Sequence, residues 1–177
     1  MTTQPKITDI NIRELVNAYI NDKTKLPSGL KYVPIGEWNV SEVTDLGNLF
    51  SAFNEFNEPL NRWNVSNVTN MKSMFSYCKK FNQPLNNWNV SNVTNMEFMF
   101  EECKSFNQSL NDWDVSKVTK MNSMFLGCTT FDQPLDKWNV GSVIEIEFMF
   151  DDCTNFNQSL NNWNVSNVTD MLCSDGN

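Results

Sequence analysis

The chain has 177 residues, of which 40% are hydrophobic and 19% charged, a length typical of one domain and a composition that allows a packed core. Its formal net charge is −8, and it contains no histidine. The acidic balance argues against binding to nucleic acid or to an anionic membrane, and the missing histidine removes the commonest general base and metal ligand.

The N-terminal segment, 1–37, precedes the repetitive part of the chain. Its polar start lacks the apolar stretch of a secretory signal peptide. No apolar run in the chain approaches the roughly 18–20 residues that span a bilayer. We therefore expect no membrane span and a location inside a cell or a virus particle, with a cell-surface location as the alternative if a signal was removed.

An amphipathic helix is predicted over 12–21, because apolar residues recur there at helical spacing: Ile12, Leu15, Val16, Tyr19 and Ile20. Asn11 and Glu14 fit a capping box, and Ile10 with Leu15 fits a hydrophobic staple. We expect this helix to cover the first repeat; a helix that binds a partner is the alternative.

A 25-residue repeat begins at Trp38 and runs to Met171. Each tryptophan follows the previous one by 25 residues: Trp38, Trp63, Trp88, Trp113, Trp138 and Trp163. Phenylalanine, leucine and valine columns keep the same period, and four cysteines form another column: Cys78, Cys103, Cys128 and Cys153. Units this short bury their apolar side chains only by stacking. We divide 38–171 into five full repeats and one partial repeat, followed by a tail, 172–177.

Each repeat contains three patterns. The W-x-V stretch alternates with period two and predicts a short strand, whereas V-T-x-M-x-x-M-F-x-x-C predicts a turn of α- or 3₁₀-helix. The F-N-Q-P-L stretch is predicted to be extended or turning, because proline cannot continue a helix. Parallel pairing of successive strands then predicts a solenoid with one short strand and one helical turn per coil.

The unit from Leu85 to Cys103 reads L-x-x-W-x-V-S-x-V-T-x-M-x-x-M-F-x-x-C. This motif resembles the BspA-like class of leucine-rich repeats, and its W-N-V-S-N-V-T-x-M form matches a subgroup of unknown function. The resemblance covers 38–171. It implies a right-handed leucine-rich-repeat-like solenoid with an N-terminal capping α-helix, and a role in adhesion or protein interaction.

The tryptophan and cysteine columns are predicted to lie in the core. Free cysteine behaves as a small buried hydrophobe, and a spacing of 25 residues is unlike that of zinc ligands. Disulfides between coils and a metal ladder are the alternatives. We expect unpaired thiols, no metal and no cofactor, and we single out Cys173, outside the column, as the candidate reactive thiol.

Asparagine recurs in N-x-S/T triplets throughout the repeats. Short polar side chains of this kind hydrogen-bond the backbone at turns, which is the structural interpretation. Glycosylation is the alternative, and it requires secretion.

Carboxylates cluster late in the array, and stacking would place two groups of them on one face: Glu97, Glu101, Glu102, Glu147, Asp151 and Asp152. A solvated acidic face is the plain interpretation; a cation site or a basic partner is the alternative. Phe98 and Phe148 occupy a column that otherwise holds asparagine and serine. They are either contact anchors for a partner or part of local packing.

Residues on either side of each tryptophan are expected to face outward, since neighbours along a strand alternate sides. The sheet surface is the usual docking face of leucine-rich repeats, so by analogy a protein partner is expected there. The candidate contacts on this surface are Arg62, Asn64, Asn89, Asp112, Asp114 and Lys137.

The sequence therefore favours a non-catalytic protein-interaction or structural scaffold, with a cell-surface adhesin fragment as the alternative. An enzyme is disfavoured, because the chain lacks a nucleophile motif, a phosphate-binding loop and a dinucleotide fingerprint. The repeat pattern stops after Met171, in the middle of a unit. Apolar columns exposed on the last coil predict self-association through that coil, or its burial by another protein or by further sequence.

Overall fold

The computed structural model describes residues 4–169. Within them the chain forms one α-helix, α1, at Ile12–Asn21, and two 3₁₀ turns, at Lys23–Lys25 and Ile35–Glu37. From Trp38 to Thr169 the backbone runs in stacked coils of 25 residues. Met171, the tail 172–177 and the candidate thiol of Cys173 lie outside the described residues.

The predicted solenoid, with a leucine-rich-repeat-like strand and a helical turn in each coil, is wrong. In residues 4–169 the strand-like pairing is limited to isolated parallel bridges: Asp45–Asn70, Asn70–Asn95, Asn95–Lys120 and Lys120–Glu145. The W-x-V stretch forms no strand because its backbone closes local turns, as where the Val68 N–H donates to the Val65 carbonyl at 2.9 Å. The stretch that follows it consists of turns and contains no helix.

One segment in each full coil carries a regular ladder of hydrogen bonds, and we call these the ladder segments: 45–53, 70–78, 95–103, 120–128 and 145–153. In the first four, every second N–H donates to a carbonyl of the next segment, as from Leu46 to Asn70, with N···O distances of 2.7–3.0 Å. Intervening N–H groups close turns within the segment, as from Leu49 to Leu46. This double use of the backbone fixes each coil both internally and against its neighbour.

Each ladder segment contains two residues with left-handed backbone, four positions apart. Their φ angles lie between 52° and 71°: Asn48 and Ala52, Ser73 and Tyr77, Phe98 and Glu102, Ser123 and Gly127, Phe148 and Asp152. This conformation is unfavourable for residues other than glycine. The hydrogen bonds of the ladder therefore hold the backbone where side-chain preference alone would not.

Stacked phenylalanine rings fill the centre of the coils. The rings of the first column, from Phe50 to Phe150, have centroids 5.5–5.7 Å apart and nearly parallel planes. A second column, from Phe56 to Phe156, repeats at 5.9–6.0 Å. Equal spacing along both columns lets one hydrophobic core run continuously through the stack.

Helix α1 covers the first coil with its apolar stripe, and Tyr19 packs edge-on against Trp38 at 5.5 Å. The predicted capping box is wrong, because the Asn11 side chain makes no cap hydrogen bond and instead accepts the Thr8 N–H at 2.9 Å. The predicted staple is also wrong, since Ile10 is 95% exposed.

Two charged side chains near α1 complete the hydrogen bonding of the first coil. In later coils the N–H of the residue in the Thr44 column donates to the carbonyl of the same column in the preceding coil, as from Thr69 to Thr44. In the first coil the Asp9 carboxylate accepts the Thr44 N–H at 2.8 Å and the Asp45 N–H at 3.0 Å. Arg13 donates to the Gly47 carbonyl at 2.9 Å. The Asp9 carboxylate thus accepts the N–H groups that have no preceding coil to bond with, and the Arg13 guanidinium donates to a carbonyl of the same coil.

The last described coil buries its apolar columns less completely than the interior coils do. Trp63, Trp88 and Trp113 are at most 4% exposed, whereas Trp163 is only partly buried. The same contrast holds for other columns, whose partly buried members are Phe156, Leu160, Val165 and Val168.

Candidate interaction surface

The cysteine column lies in the core. Each thiol donates to a carbonyl 28 residues earlier, from Cys78 to Phe50 through Cys153 to Phe125, with S···O distances of 2.8–3.0 Å. Burial raises the pKa of the Cys78 and Cys153 thiols to about 12 and the pKa of the other two well above the ordinary value. All four are free thiols in the described part of the chain. Metal binding and nucleophilic attack both require the thiolate form of cysteine. Buried thiols with raised pKa values are therefore unsuited to either role.

The tryptophan column is tied to the stack through its indole N–H groups. Each donates to a carbonyl 28 residues earlier: Trp63 to Ile35, Trp88 to Leu60, Trp113 to Leu85, Trp138 to Leu110 and Trp163 to Leu135. Trp38 belongs to the first coil, and among residues 4–169 its buried indole N–H has no acceptor. The residues on either side of each tryptophan therefore lie on the outside of the coils.

Those flanking residues are exposed but engaged within the chain. The side-chain oxygens of Asn64, Asn89 and Asp114 each accept the N–H two residues later at 3.1 Å. For Asp114, the Ser116 hydroxyl and N–H lower the pKa of the carboxyl. These side chains build the turns of the coil, which is the structural use that their triplets predict.

The charged flanking residues form ion pairs from coil to coil. Arg62 lies 3.1 Å from Glu37, and Lys137 lies 2.8 Å from Asp112. These atoms are well exposed, so the pairs contribute little stability. Each of these positive charges is nevertheless paired with a negative charge in the neighbouring coil. The two pairs therefore present no excess of one charge to a partner.

The outward side of the ladder segments, which we call the ladder face, differs strongly from coil to coil. Its second left-handed position holds, in order, Ala52, Tyr77, Glu102, Gly127 and Asp152. Its other positions also change in size and charge. The positions of the ladder face together include both candidate phenylalanines and all six candidate carboxylates.

The candidate carboxylates occupy two ladder segments with one segment between them. In the first, Glu97 is 9% exposed and accepts from Lys72 at 3.3 Å, Glu101 accepts from the Ser76 hydroxyl at 2.7 Å, and Glu102 lies 3.2 Å from Lys104. In the second, the Glu147 N–H donates to the Asn122 side chain at 3.0 Å. Asp151 and Asp152 follow Phe148 there, and Asp152 is exposed.

Between these two segments, 120–128 has no carboxylate, and its two left-handed positions hold the small residues Ser123 and Gly127. Ser123 is 5% exposed although it lies in an outward column, between Phe98 and Phe148. A Cβ atom at Gly127 would lie 2.5 Å from an oxygen of Glu102, so the glutamate occupies the space beside the glycine. On the ladder face, Phe98 and Phe148 therefore lie on either side of a segment with a smaller residue, Ser123, in the same column.

A cation lies over one of the two candidate phenylalanines. The Lys72 ammonium sits 5.6 Å from the centroid of the Phe98 ring while it pairs with Glu97. Sequence reasoning identified Glu97 and Phe98 but missed Lys72. The signal was present, since Lys72 precedes Glu97 by one repeat, but it was hidden because contacts between coils join residues that the linear pattern separates.

Two general features bear on the class of site. Within residues 4–169, no helix is long and apolar enough to cross a membrane. The same residues contain no cluster of histidine, cysteine, aspartate or glutamate suited to hold a metal ion.

Stacked coils with constant buried columns and varied outward positions define a repeat protein. The chain belongs to the family described as Mycoplasma protein of unknown function, DUF285, whose model matches residues 22–127 and 109–173. No curated protein and no solved structure matches the chain.

Proposed function

We propose that this chain is a non-catalytic interaction scaffold that presents its ladder face to a protein partner. The observation that carries the proposal is the contrast between constant buried columns and a ladder face whose side chains vary among the coils. The resemblance of the repeats to BspA-like proteins, whose usual assigned role is adhesion or protein interaction, agrees with it.

The backbone under the ladder face suits recognition. Hydrogen bonds of 2.7–3.0 Å join its segments, and in the first four segments the left-handed residues donate their N–H groups to these bonds. A surface that is already ordered loses little conformational freedom when a partner binds. Variation of side chains on such a fixed frame changes specificity without changing the fold, which is how repeat proteins bind different partners.

A capture experiment with two matched variants tests this proposal. The chain is immobilised and exposed to extract of its native host, and bound proteins are identified by mass spectrometry. The double variant Tyr77→Ser, Glu101→Lys changes the ladder face, and the double variant Asp112→Ser, Lys137→Ser changes the tryptophan-flanking surface by removing an ion pair.

We expect the ladder variant to lose a protein that the wild type and the flanking variant both retain. Loss from the flanking variant alone would place the docking surface beside the tryptophans and contradict the proposal. Circular dichroism of both variants checks that each has kept its fold.

We also propose that a second copy of the chain covers the last described coil. Its partly buried members, from Phe156 to Val168, belong to columns that another coil of similar sequence covers everywhere else in the stack. The opposite end cannot take that role, because α1, Asp9 and Arg13 already close it. A symmetric pairing of two last coils would cover this surface without forming an open polymer, and its burial by another protein or by further sequence is the other outcome of the test.

A further inference from the structure

The contact between Lys72, Glu97 and Phe98 shows how the ladder face holds a cation. The lysine reaches from the preceding coil, its ammonium lies 3.3 Å from a Glu97 oxygen, and the same atom lies 5.6 Å from the centre of the Phe98 ring. A cation over an aromatic face is attracted by the negative charge density of the ring, and the neighbouring carboxylate adds to this attraction.

The same arrangement recurs 50 residues later with one change. Glu147 and Phe148 take the places of Glu97 and Phe98, but the place of Lys72 is taken by Asn122. The Asn122 amide donates to a Glu145 oxygen at 3.0 Å, and its carbonyl oxygen accepts the Glu147 N–H at 3.0 Å. The neutral side chain is thus held within the backbone framework and supplies no charge to the second ring.

The described residues place no cation over the Phe148 ring. Cationic side chains over aromatic rings within 4–169 are those of Lys23 on Tyr19 and Lys72 on Phe98. Lys120, in the adjacent segment, is bound to Glu145 at 2.8 Å. Positions 1–3 and 170–177 contain neither lysine nor arginine, so they supply no such side chain.

The charge around Phe148 favours a cation from outside. Segment 145–153 contains four carboxylates and no lysine or arginine: Glu145, Glu147, Asp151 and Asp152. Phe148 is partly exposed on the ladder face. An aromatic ring in an acidic segment complements an ammonium or guanidinium group, and the contact of Lys72 with Phe98 shows that the same position of the ladder admits one.

We infer that the face of Phe148 is the docking position for a lysine or arginine side chain of the protein partner. The inference rests on the proposed function, because it names the chemistry of one position on the ladder face. The partner's cation takes the place over Phe148 that Lys72 takes over Phe98, two coils earlier in the array. The partner therefore presents a basic side chain whose neighbours are compatible with an acidic surface.

Hexalysine and hexaarginine peptides are the probes for this site. Binding to the full chain is measured by calorimetry at low ionic strength, and the ring signals of Phe148 are followed by nuclear magnetic resonance in the same titration. We expect one site that weakens as salt is added, with a shift of the Phe148 ring signals.

Three variants use the array's own residues to test the assignment. Asn122→Lys supplies from within the chain the cation that Lys72 supplies to Phe98, and it should weaken peptide binding at least about threefold. Phe148→Ser places at this position the residue found at Ser73 and Ser123 in the same column, and it should have a similar effect. Lys72→Ser should uncover the Phe98 ring and raise the number of bound peptides.

Two controls separate the ring from net charge and from folding. Asn87→Lys adds the same charge as Asn122→Lys in a column that already contains Arg62 and Lys137, and it should bind the peptides almost as the wild type does. Phe98→Ser removes a ring that is already occupied and should also leave binding near the wild-type level.

Equal binding by the wild type, Asn122→Lys and Phe148→Ser would overturn the inference, because attraction would then come from acidity alone. A partner captured from host extract that is lost with the change at Tyr77 and Glu101 but retained by Phe148→Ser would overturn it while leaving the scaffold proposal intact. Failure of the scaffold proposal shows instead as capture that does not depend on the ladder face.

Discussion

The tryptophans act both as core residues and as links between coils. Trp88 is 4% exposed, its indole N–H donates to the Leu60 carbonyl at 3.0 Å, and its ring stacks on Trp113 at 6.4 Å. Removing such a side chain lowers the stability in two ways. It exposes apolar surface, and it leaves a carbonyl of the neighbouring coil without its hydrogen bond.

The first prediction is that Trp88→Ala lowers the free energy of unfolding by about 3–5 kcal/mol, as for other buried aromatic residues. Urea unfolding followed by circular dichroism measures the change. Trp163→Ala, measured at concentrations where the chain is monomeric, is the matched control. Trp163 has the same hydrogen bond but is only partly buried, so its loss should cost clearly less. A loss below about 1 kcal/mol for Trp88 would contradict the assigned inside and outside of the coil.

The second prediction concerns the pH dependence that the buried thiols confer. In the unfolded chain a cysteine loses its proton near its ordinary pKa of 9.0, whereas burial raises the pKa of the folded Cys78 thiol to about 12. Between these values the folded state binds more protons, so the free energy of unfolding falls as the pH rises. The contribution is complete below about pH 9 and disappears on the way to pH 12.

Urea unfolding at successive pH values between 8 and about 11 measures this slope. Cys78→Ala should flatten it, since the variant has one thiol fewer that ionises only on unfolding. An unchanged slope in that variant would show that other groups, such as lysines, account for the alkaline loss of stability.

At the scale of elements, the 25-residue period and helix α1 could be predicted from the sequence, but the backbone conformation within each coil could not. Apolar spacing over 12–21 is unambiguous, and the helix has those bounds. Alternation in W-x-V suggested a strand, but local turns such as Trp63 N–H to Leu60 carbonyl at 3.0 Å consume the groups that a sheet would need. Period-two alternation records which side chains are buried and does not show how the backbone is hydrogen-bonded.

The ladder segments were missed for a related reason. Positive φ angles are normally signalled by glycine, yet among these positions only Gly127 is glycine, and the others include Tyr77 and Phe98. Here the contacts between coils override the preference of the individual residue. The candidate acidic and aromatic residues could be identified from the sequence, but their partners could not, because those lie one coil away.

The third prediction concerns the end cap. Asp9→Ala removes hydrogen bonds to the Thr44 N–H at 2.8 Å, the Thr44 hydroxyl at 2.6 Å and the Asp45 N–H at 3.0 Å. We expect the free energy of unfolding to fall by about 1–2 kcal/mol, because hydrogen bonds to a charged acceptor are stronger than average but this carboxylate is partly solvated.

Thermal and urea unfolding of Asp9→Ala measure this loss. The control is Glu14→Ala on the exposed side of α1, which should change stability by less than about 0.5 kcal/mol. Burial alone would raise the pKa of Asp9, but the hydrogen bonds from Thr44 and Asp45 and the charge of Arg13 lower it overall. The stability that Asp9 contributes should therefore persist above its ordinary pKa of 3.8 and disappear as the pH falls below it.

At the scale of the whole molecule, the two ends of the described stack are unlike. One end is covered by a helix and by side chains of matching charge, whereas the other presents columns that are only partly buried. The fourth prediction is that the chain forms a closed dimer at micromolar concentration through its last described coil.

Analytical ultracentrifugation over a range of concentrations measures the association. Val165→Asp places a charge among the partly buried side chains of that coil and should shift the equilibrium to monomer, because burying an unpaired charge in the contact is costly. Asn87→Asp, which adds the same charge elsewhere on the surface, should leave the association unchanged. A wild-type chain that remains monomeric and soluble throughout the range would show that the coil needs no second copy.

The hydrogen-bond offsets between coils have a consequence for how such a gene can change. The indole and thiol groups reach back 28 residues and the ladder reaches forward 24, and these offsets are the same at each interior junction. Deleting or duplicating 25 codons therefore joins surfaces that already fit, whereas any other length puts every later junction out of register. Unequal crossing-over between such similar stretches of DNA would lengthen or shorten the array in whole coils, and selection could then adjust the ladder face one coil at a time.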